Sequence, residues 1–345
     1  MFEDSRLKQG GLKHGGKLRE AVRQYGRALD EWLDLSTGIN PNGWPVPPLP
    51  TSIWSRLPED EDGLEQAACD YYGAKHLLAV AGSQAAIQVL PQLRSSARVS
   101  VLHPGYAEHA EAWRRAGHTV MAVGEAQLND AVAQSDVLVL IHPNNPTGAR
   151  FKVAQLLDWH AQLAARGGWL VVDEAFMDVT PEHSLCRYSS RSGMIVLRSL
   201  GKFFGLAGAR VGFVCAQAEL LTRIHALLGP WTINTPARWL ATAALNDHAW
   251  QKTAQRHLAD ESRRLHALLT QYQLAPDGGS ALFQWVRTPQ AACLHEMLAR
   301  DGILTRLFTH PASLRFGLPG CELDWARLGA ALARVTAVDL SEASA

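Results

Sequence analysis

Lys202 stands in the stretch SLGKFFGLAGARVGF, residues 199 to 213, straight after the apolar run Met194 to Leu197 and beside Phe203 and Phe204. A lysine after a strand is ordinarily a solvated loop residue, since lysine is seldom buried. Desolvated among such neighbours, its amine would give up its charge more easily and could attack a carbonyl carbon. Ser199 and Arg210 bracket it, and arginine suits a bidentate hold on phosphate. Four other apolar runs end in groups of the same kind. After LLAVAG, Gly82-Ser83-Gln84-Ala85-Ala86 opens a helix whose N–H groups suit a phosphate, although Ser83 can also be read as a plain capping residue. After ARVSVLHPG comes Tyr106, which could lie over an aromatic ligand or pack in the core. The turn NNPTG, residues 144 to 148, carries Asn145 towards any ligand crevice. GGWLVVDEAF ends in Asp173 and Glu174, and a carboxylate at the end of a buried strand is costly unless a cation or strong donor meets it. A protonated ring nitrogen would serve.

The elements that must position these groups are legible as apolar runs. From about residue 75 to 215 seven of them alternate with amphipathic stretches such as Gln84 to Leu93 and Lys152 to Ala165. Strands that are continuously apolar are buried on both faces, so an α/β fold is predicted, a large and mostly parallel sheet wound with helices. Such sheets bind ligands at the carboxyl ends of their strands, which is where the groups above stand. Beyond Pro236 the texture turns helical, ARWLATAALNDHAWQKTAQRHLADESRRLHALL. SALFQWVRT and SLRFGLP then read as strands of a second, smaller α+β domain. The proline-rich stretch 45 to 50 closes what reads as an N-terminal arm and linker. The expected division is therefore 1–50, 51–235 and 236–345.

Bulk properties narrow the function classes. The 345 residues are 47% hydrophobic, enough for a real core, and 33 basic residues balance 33 acidic ones. With no basic stripe, neither a nucleic-acid nor an anionic-membrane partner is expected, and a small molecule is the better partner. Cys69, Cys186, Cys215, Cys293 and Cys321 lie far apart with no C-x-x-C, against a disulfide framework or zinc site and in keeping with a reducing compartment. The opening MFEDSRLKQGGLKHGG lacks the apolar core of a signal peptide, and no run is long enough to span a bilayer, so a cytoplasmic protein is expected. GLKHGGKL nearly matches a nucleotide phosphate loop but has Leu18 in place of the hydroxyl residue that would hold magnesium. The fourteen histidines show no metal-binding spacing, so no metal is expected, and His142 reads as a strand-end residue. The eleven tryptophans read as core or interface packing.

Taken together, the groups at the strand ends resemble those of the fold-type I pyridoxal-phosphate enzymes, the aspartate aminotransferase superfamily, over roughly Leu35 to Gly320. The resemblance implies that Lys202 carries the cofactor, Asp173 pairs with its ring nitrogen, Asn145 donates to its phenolic oxygen and Tyr106 stacks on its ring. Gly82, Ser83, Gln84, Ser199 and Arg210 would hold its phosphate, and Arg315 in SLRFGLP would take an amino acid's α-carboxylate. Within the superfamily, KHGGKLREA (13–21), LDLSTGINPNGWP (33–45) and the lysine stretch are similar to the threonine-phosphate decarboxylases of cobalamin biosynthesis. Histidinol-phosphate aminotransferases are their near relatives and the alternative reading. The resemblance implies decarboxylation of O-phospho-L-threonine to (R)-1-amino-2-propanol O-2-phosphate by a homodimer, with His14, Gly15 and Asn40 of the arm and Arg306 receiving the substrate. Three residues depart from the pattern: Lys17 replaces an Asn or Asp, Leu57 a tyrosine that reaches the neighbouring subunit, and Phe176 a tyrosine that bonds the phenolic oxygen. A non-catalytic regulator on the same fold is a third reading, and it is disfavoured by the intact Lys202 and Asp173 and by the want of a basic helix-turn-helix segment.

Overall fold

The computed structural model describes residues 14–337. The polar opening stretch before His14, on which the expectation of no signal peptide rests, lies outside the described residues, as does the start of the near-match GLKHGGKL. Thirteen strands follow in chain order: β1 Leu33–Asp34, β2 Leu77–Val80, β3 Arg98–Leu102, β4 Thr119–Val123, β5 Val137–Ile141, β6 Trp169–Asp173, β7 Met194–Ser199, β8 Gly212–Cys215, β9 Gly278–Ser280, β10 Phe283–Arg287, β11 Ile303–Leu304, β12 Arg306–Thr309 and β13 Ala312–Gly317.

β2 to β8 form one sheet in the order β2-β8-β7-β6-β5-β3-β4, and each of them coincides with an apolar run of the sequence. The central strands are mainly apolar because both faces are covered, whereas the edge strand β4 is largely exposed. Leu138 and Leu140 of β5 feed one hydrophobic core, while Val137 and Val139 feed the other on the opposite face. β3 to β7 run parallel, whereas β8 is antiparallel to both β2 and β7. That reversal matters for the chemistry. It brings the start of β8, and with it Arg210, to the edge where β2, β3, β5, β6 and β7 end. Gly212 sits in register with Val80 and Ser199, and a Cβ there would lie 2.5 Å from the Ser83 amide nitrogen. Glycine is what lets the 82–84 turn close over the strand.

The C-terminal region carries the antiparallel sheet β12-β13-β10-β9, with the helix His248–Gln271 packed on β10, while the helix Thr235–Asn246 packs on the helix Leu64–Tyr72. The helical stretch of the sequence divides at Asp247, whose carboxylate caps the second helix by accepting the Trp250 N–H at 3.0 Å. The arm also joins this region. β1 pairs in parallel with β11, and Tyr25 donates to Glu296 at 2.6 Å.

Below the strand ends lies a buried ion cluster. Arg198 of β7 donates to Glu174 and to Asp178, each at 2.8 Å, and the Tyr72 ring covers its guanidinium at 4.4 Å. Ser184 and the Leu185 N–H also donate to Glu174, at 2.6 and 2.7 Å. Burial pushes both carboxyls upward and Arg198 opposes it. Glu174 is thereby tied to the interior, and its neighbour Asp173, on the other side of the strand end, is left to the site. Replacing Arg198 with Met should strand two buried carboxylates and lower stability by about 3–5 kcal/mol in urea unfolding. An unchanged midpoint would show that the cluster does not hold this turn.

Candidate active site

Two adjoining cavities open at the carboxyl edge of the large sheet, an inner one of about 160 Å³ and an outer one of about 360 Å³. Tyr106, Asn145 and Lys202 line both. A wider groove of about 710 Å³, between the 147–150 turn and residues 276–284, brings no comparable set of reactive groups together.

The inner cavity gathers Gly82, Ser83, Gln84, Asp173, Ser199 and Arg210 around the three shared residues. Lys202 follows β7 on a glycine-bounded turn, and its amine has the Thr37 carbonyl at 3.4 Å and the Phe176 ring face at 5.5 Å. Burial, helped by the charges of Arg315 and Arg210 and opposed by Asp173, brings its pKa down from 10.5 to about 8. The loop lysine that base rates favour is therefore a desolvated amine. Asp173 is 4% exposed and accepts the Ala175 N–H at 3.0 Å, with the buried His109 Nε2 also at 3.0 Å. Arg210 has a left-handed backbone, φ 55°, and its guanidinium lies so close to Gly82 that a Cβ there would sit 2.6 Å from Nη2. Serine hydroxyls, a helix start and a guanidinium thus meet in one small cradle. The Tyr106 hydroxyl donates to Gln84 Oε1 at 3.1 Å.

The outer cavity is walled by the arm and by the C-terminal sheet. Arg306 of β12 and Arg315 of β13 are direct cross-strand partners, so both side chains leave the same face of the sheet. Arg315 is fully enclosed, yet its guanidinium donates only to neutral oxygens, the Asn145 amide and the Ser36 carbonyl, and its Nε has no partner. Burial first, then Arg306, bring its pKa down to about 9. Such a cation asks for an anion. His14 joins the wall, its Nε2 2.9 Å from Glu108, and Gly15 packs so tightly on the Ser36 carbonyl that no side chain would fit.

Of the residues expected at the site, all but Asn40 therefore line one cavity or the other. Asn40 is buried elsewhere: its amide donates to the Phe203 carbonyl at 2.9 Å, and its N–H donates to the Lys202 carbonyl at 3.0 Å. It braces the turn that carries the lysine. Lys17 turns to Glu20 at 3.1 Å, and Leu57 is 63% exposed. Phe176 faces the lysine and stacks edge-on against Phe283. His142 is buried, accepts the Phe151 N–H, and burial brings its pKa down to about 4, so it is a neutral structural residue. His109 and Glu108 also belong to the site, although no motif in the sequence marks them. Their helix, Ala107–Arg115, follows Tyr106 directly, and that adjacency is the one signal the sequence offered.

Residues 57–333 match the family described as aminotransferase class I and II, and the chain belongs to that family. It is 56% identical over 93% of its length to a threonine-phosphate decarboxylase from Pseudomonas aeruginosa, covering 97% of that relative. A threonine-phosphate decarboxylase from a Sinorhizobium species is 40% identical, over 94% of this chain and 98% of its own. The solved histidinol-phosphate aminotransferase from Sinorhizobium meliloti, in complex with pyridoxal-5′-phosphate, superposes with a TM-score of 0.82 at 20% identity, over 97% and 98% of the two chains. The cofactor is pyridoxal phosphate, and the donor set of the inner cavity fits it: a desolvated amine, a buried carboxylate and a cationic cradle that leaves no room for a Cβ at residue 82.

The amine at 202 sets a pH prediction. The neutral form is the nucleophile, so cofactor loading of the apoprotein should speed up as pH rises through about 8 and not near 10.5. Borohydride reduction and peptide mapping should place the label on Lys202. A midpoint near 10.5, or a label on another lysine, would undo the assignment.

Proposed function

We propose that this aminotransferase-family chain decarboxylates O-phospho-L-threonine to (R)-1-amino-2-propanol O-2-phosphate, a step of cobalamin biosynthesis. The observation that carries the reading is the cross-strand pair Arg306 and Arg315 beside Lys202, because neighbouring cations on one sheet face suit a ligand anionic at both ends. In this reading Arg315 takes the α-carboxylate, while Arg306 and His14, with Gly15 admitting the backbone closely, take the phosphate. Gly82, Ser83, Gln84, Ser199 and Arg210 would hold the cofactor's phosphate, Tyr106 would cover its ring and Asn145 would donate to its phenolic oxygen.

Bound pyridoxal phosphate supplies an electron sink for the pair left at the substrate's α-carbon. The protein decides which bond yields that pair. Asp173, braced by His109, would pair with the cofactor's ring nitrogen and favour a proton there. Arg315, rigidly held by Asn145 and Ser36, aims the carboxylate so that its bond to the α-carbon can break and carbon dioxide can leave. The Lys202 amine then holds the proton that the α-carbon takes up. Phe176 offers no competing hydroxyl at this point.

The same reading makes the enzyme a cytoplasmic homodimer. No helix among the described residues is long and apolar enough to cross a membrane, and all five cysteines are free. Trp54, Leu57 and Trp231 are large apolar side chains more than half exposed, and the 51–56 segment meets the start of the helix at 235 through Thr235 and Arg56. They would be covered by a second subunit, which a sedimentation measurement checks. The chain then divides into an arm and linker (1–50), a cofactor domain (51–235) and a C-terminal domain (236–345).

Given O-phospho-L-threonine and no keto acid, the purified enzyme should release carbon dioxide and the phosphorylated amine over many turnovers. A single turnover that leaves the cofactor in its amine form, with further reaction only when a keto acid is added, would make it an aminotransferase instead.

A further inference from the structure

Glu108 lines neither cavity, yet it joins three groups that do or that neighbour them. It sits in the first turn of the helix Ala107–Arg115, where a negative charge is favourable. Its Oε2 accepts from Gln84 at 2.9 Å and from Gln88 at 3.2 Å, one helical turn apart on the neighbouring helix. Those two amides occupy one carboxylate oxygen. The other, Oε1, meets His14 Nε2 at 2.9 Å. A carboxylate only accepts, so Nε2 carries a hydrogen, and Nδ1 is the nitrogen left for a ligand in the outer cavity. The residues after His14 are seated as firmly, with the Gly16 N–H donating to Ser36 Oγ at 2.7 Å.

Charge gives the contact its purpose. The outer cavity already holds Lys202, Arg306 and Arg315, so a histidine that donates from Nε2 to Glu108 and from Nδ1 to a phosphate would be a fourth cation there. Glu108 stands behind it as the balancing anion. We propose that Glu108 is a positioning residue for the phosphate end of the substrate, latching the arm through His14 against the outer cavity. The proposal rests on the reading that this cavity takes a phosphorylated amino acid.

The test uses the loaded enzyme with Glu108→Gln, His14→Ala and the double variant. Each single change should raise KM for O-phospho-L-threonine by about tenfold with a much smaller change in kcat, the loss of one charge-assisted contact. The double variant should be no worse than the more damaging single one, because both cut the same link. Trypsin should cleave after Lys17 faster in Glu108→Gln than in the unaltered enzyme, and cofactor affinity should be retained. Additive losses in the double variant, or a fall in cofactor affinity with Lys17 cleavage unchanged, would overturn the latch and place Glu108's role in holding Gln84. If the unaltered enzyme showed no preference for phosphorylated ligands, the functional reading would fail, and the rate of cleavage after Lys17 would still decide the latch.

Discussion

A guanidinium removed from water is tolerable only if something negative or strongly accepting replaces the water, and at Arg315 the protein supplies neutral oxygens and the Phe283 ring face. Asp34 is the carboxylate that acts on it from nearby, while burial and Arg306 both act against its charge. The site is thus built around an electrostatic demand that the folded chain does not itself satisfy. The contrast with Arg198 is instructive. That arginine, equally buried, receives two carboxylates, and it serves the fold.

The same demand orders the neighbours. Lys202, desolvated by burial and then repelled by Arg315 and Arg210, gives up its proton more readily, and Asp173 opposes that shift. Asp173 can do so because Glu174, one residue on, is drawn the other way by Arg198. Two adjacent carboxylates therefore serve different ends, one the core and one the site. The antiparallel β8 completes the arrangement by delivering Arg210 to the edge where the parallel strands end. A uniformly parallel sheet would place the start of that strand at the opposite edge.

Much of this was legible in the sequence because it follows from burial on two faces. The runs from Leu77 to Cys215 are predominantly apolar, and the polar residues at their ends stand out against them. The parts that the sequence does not show depend on partners distant along the chain. β1, β9, β11 and β12 are short and have no apolar run of their own, so only pairing defines them. The alignment of Arg306 with Arg315 is a matter of hairpin register, which composition does not encode. His109 and Glu108 look like ordinary residues of an amphipathic helix until Asp173 and His14 are set beside them. Asn40 shows the converse. Its place in a distinctive motif suggested contact with substrate, while its hydrogen bonds go to the backbone around Lys202.

The central claim is that the paired arginines divide one ligand between them, and inhibition by two unreactive ligands tests it most directly. 3-Phosphooxybutyrate keeps both anionic ends and 3-hydroxybutyrate keeps the carboxylate alone, and neither has an amine to react. The phosphate ester should bind the unaltered enzyme about tenfold or more tightly than the hydroxy acid. Arg306→Ala should erase that advantage while leaving 3-hydroxybutyrate unchanged, and Arg315→Ala should weaken both. Equal weakening of the two ligands by Arg306→Ala would contradict the account.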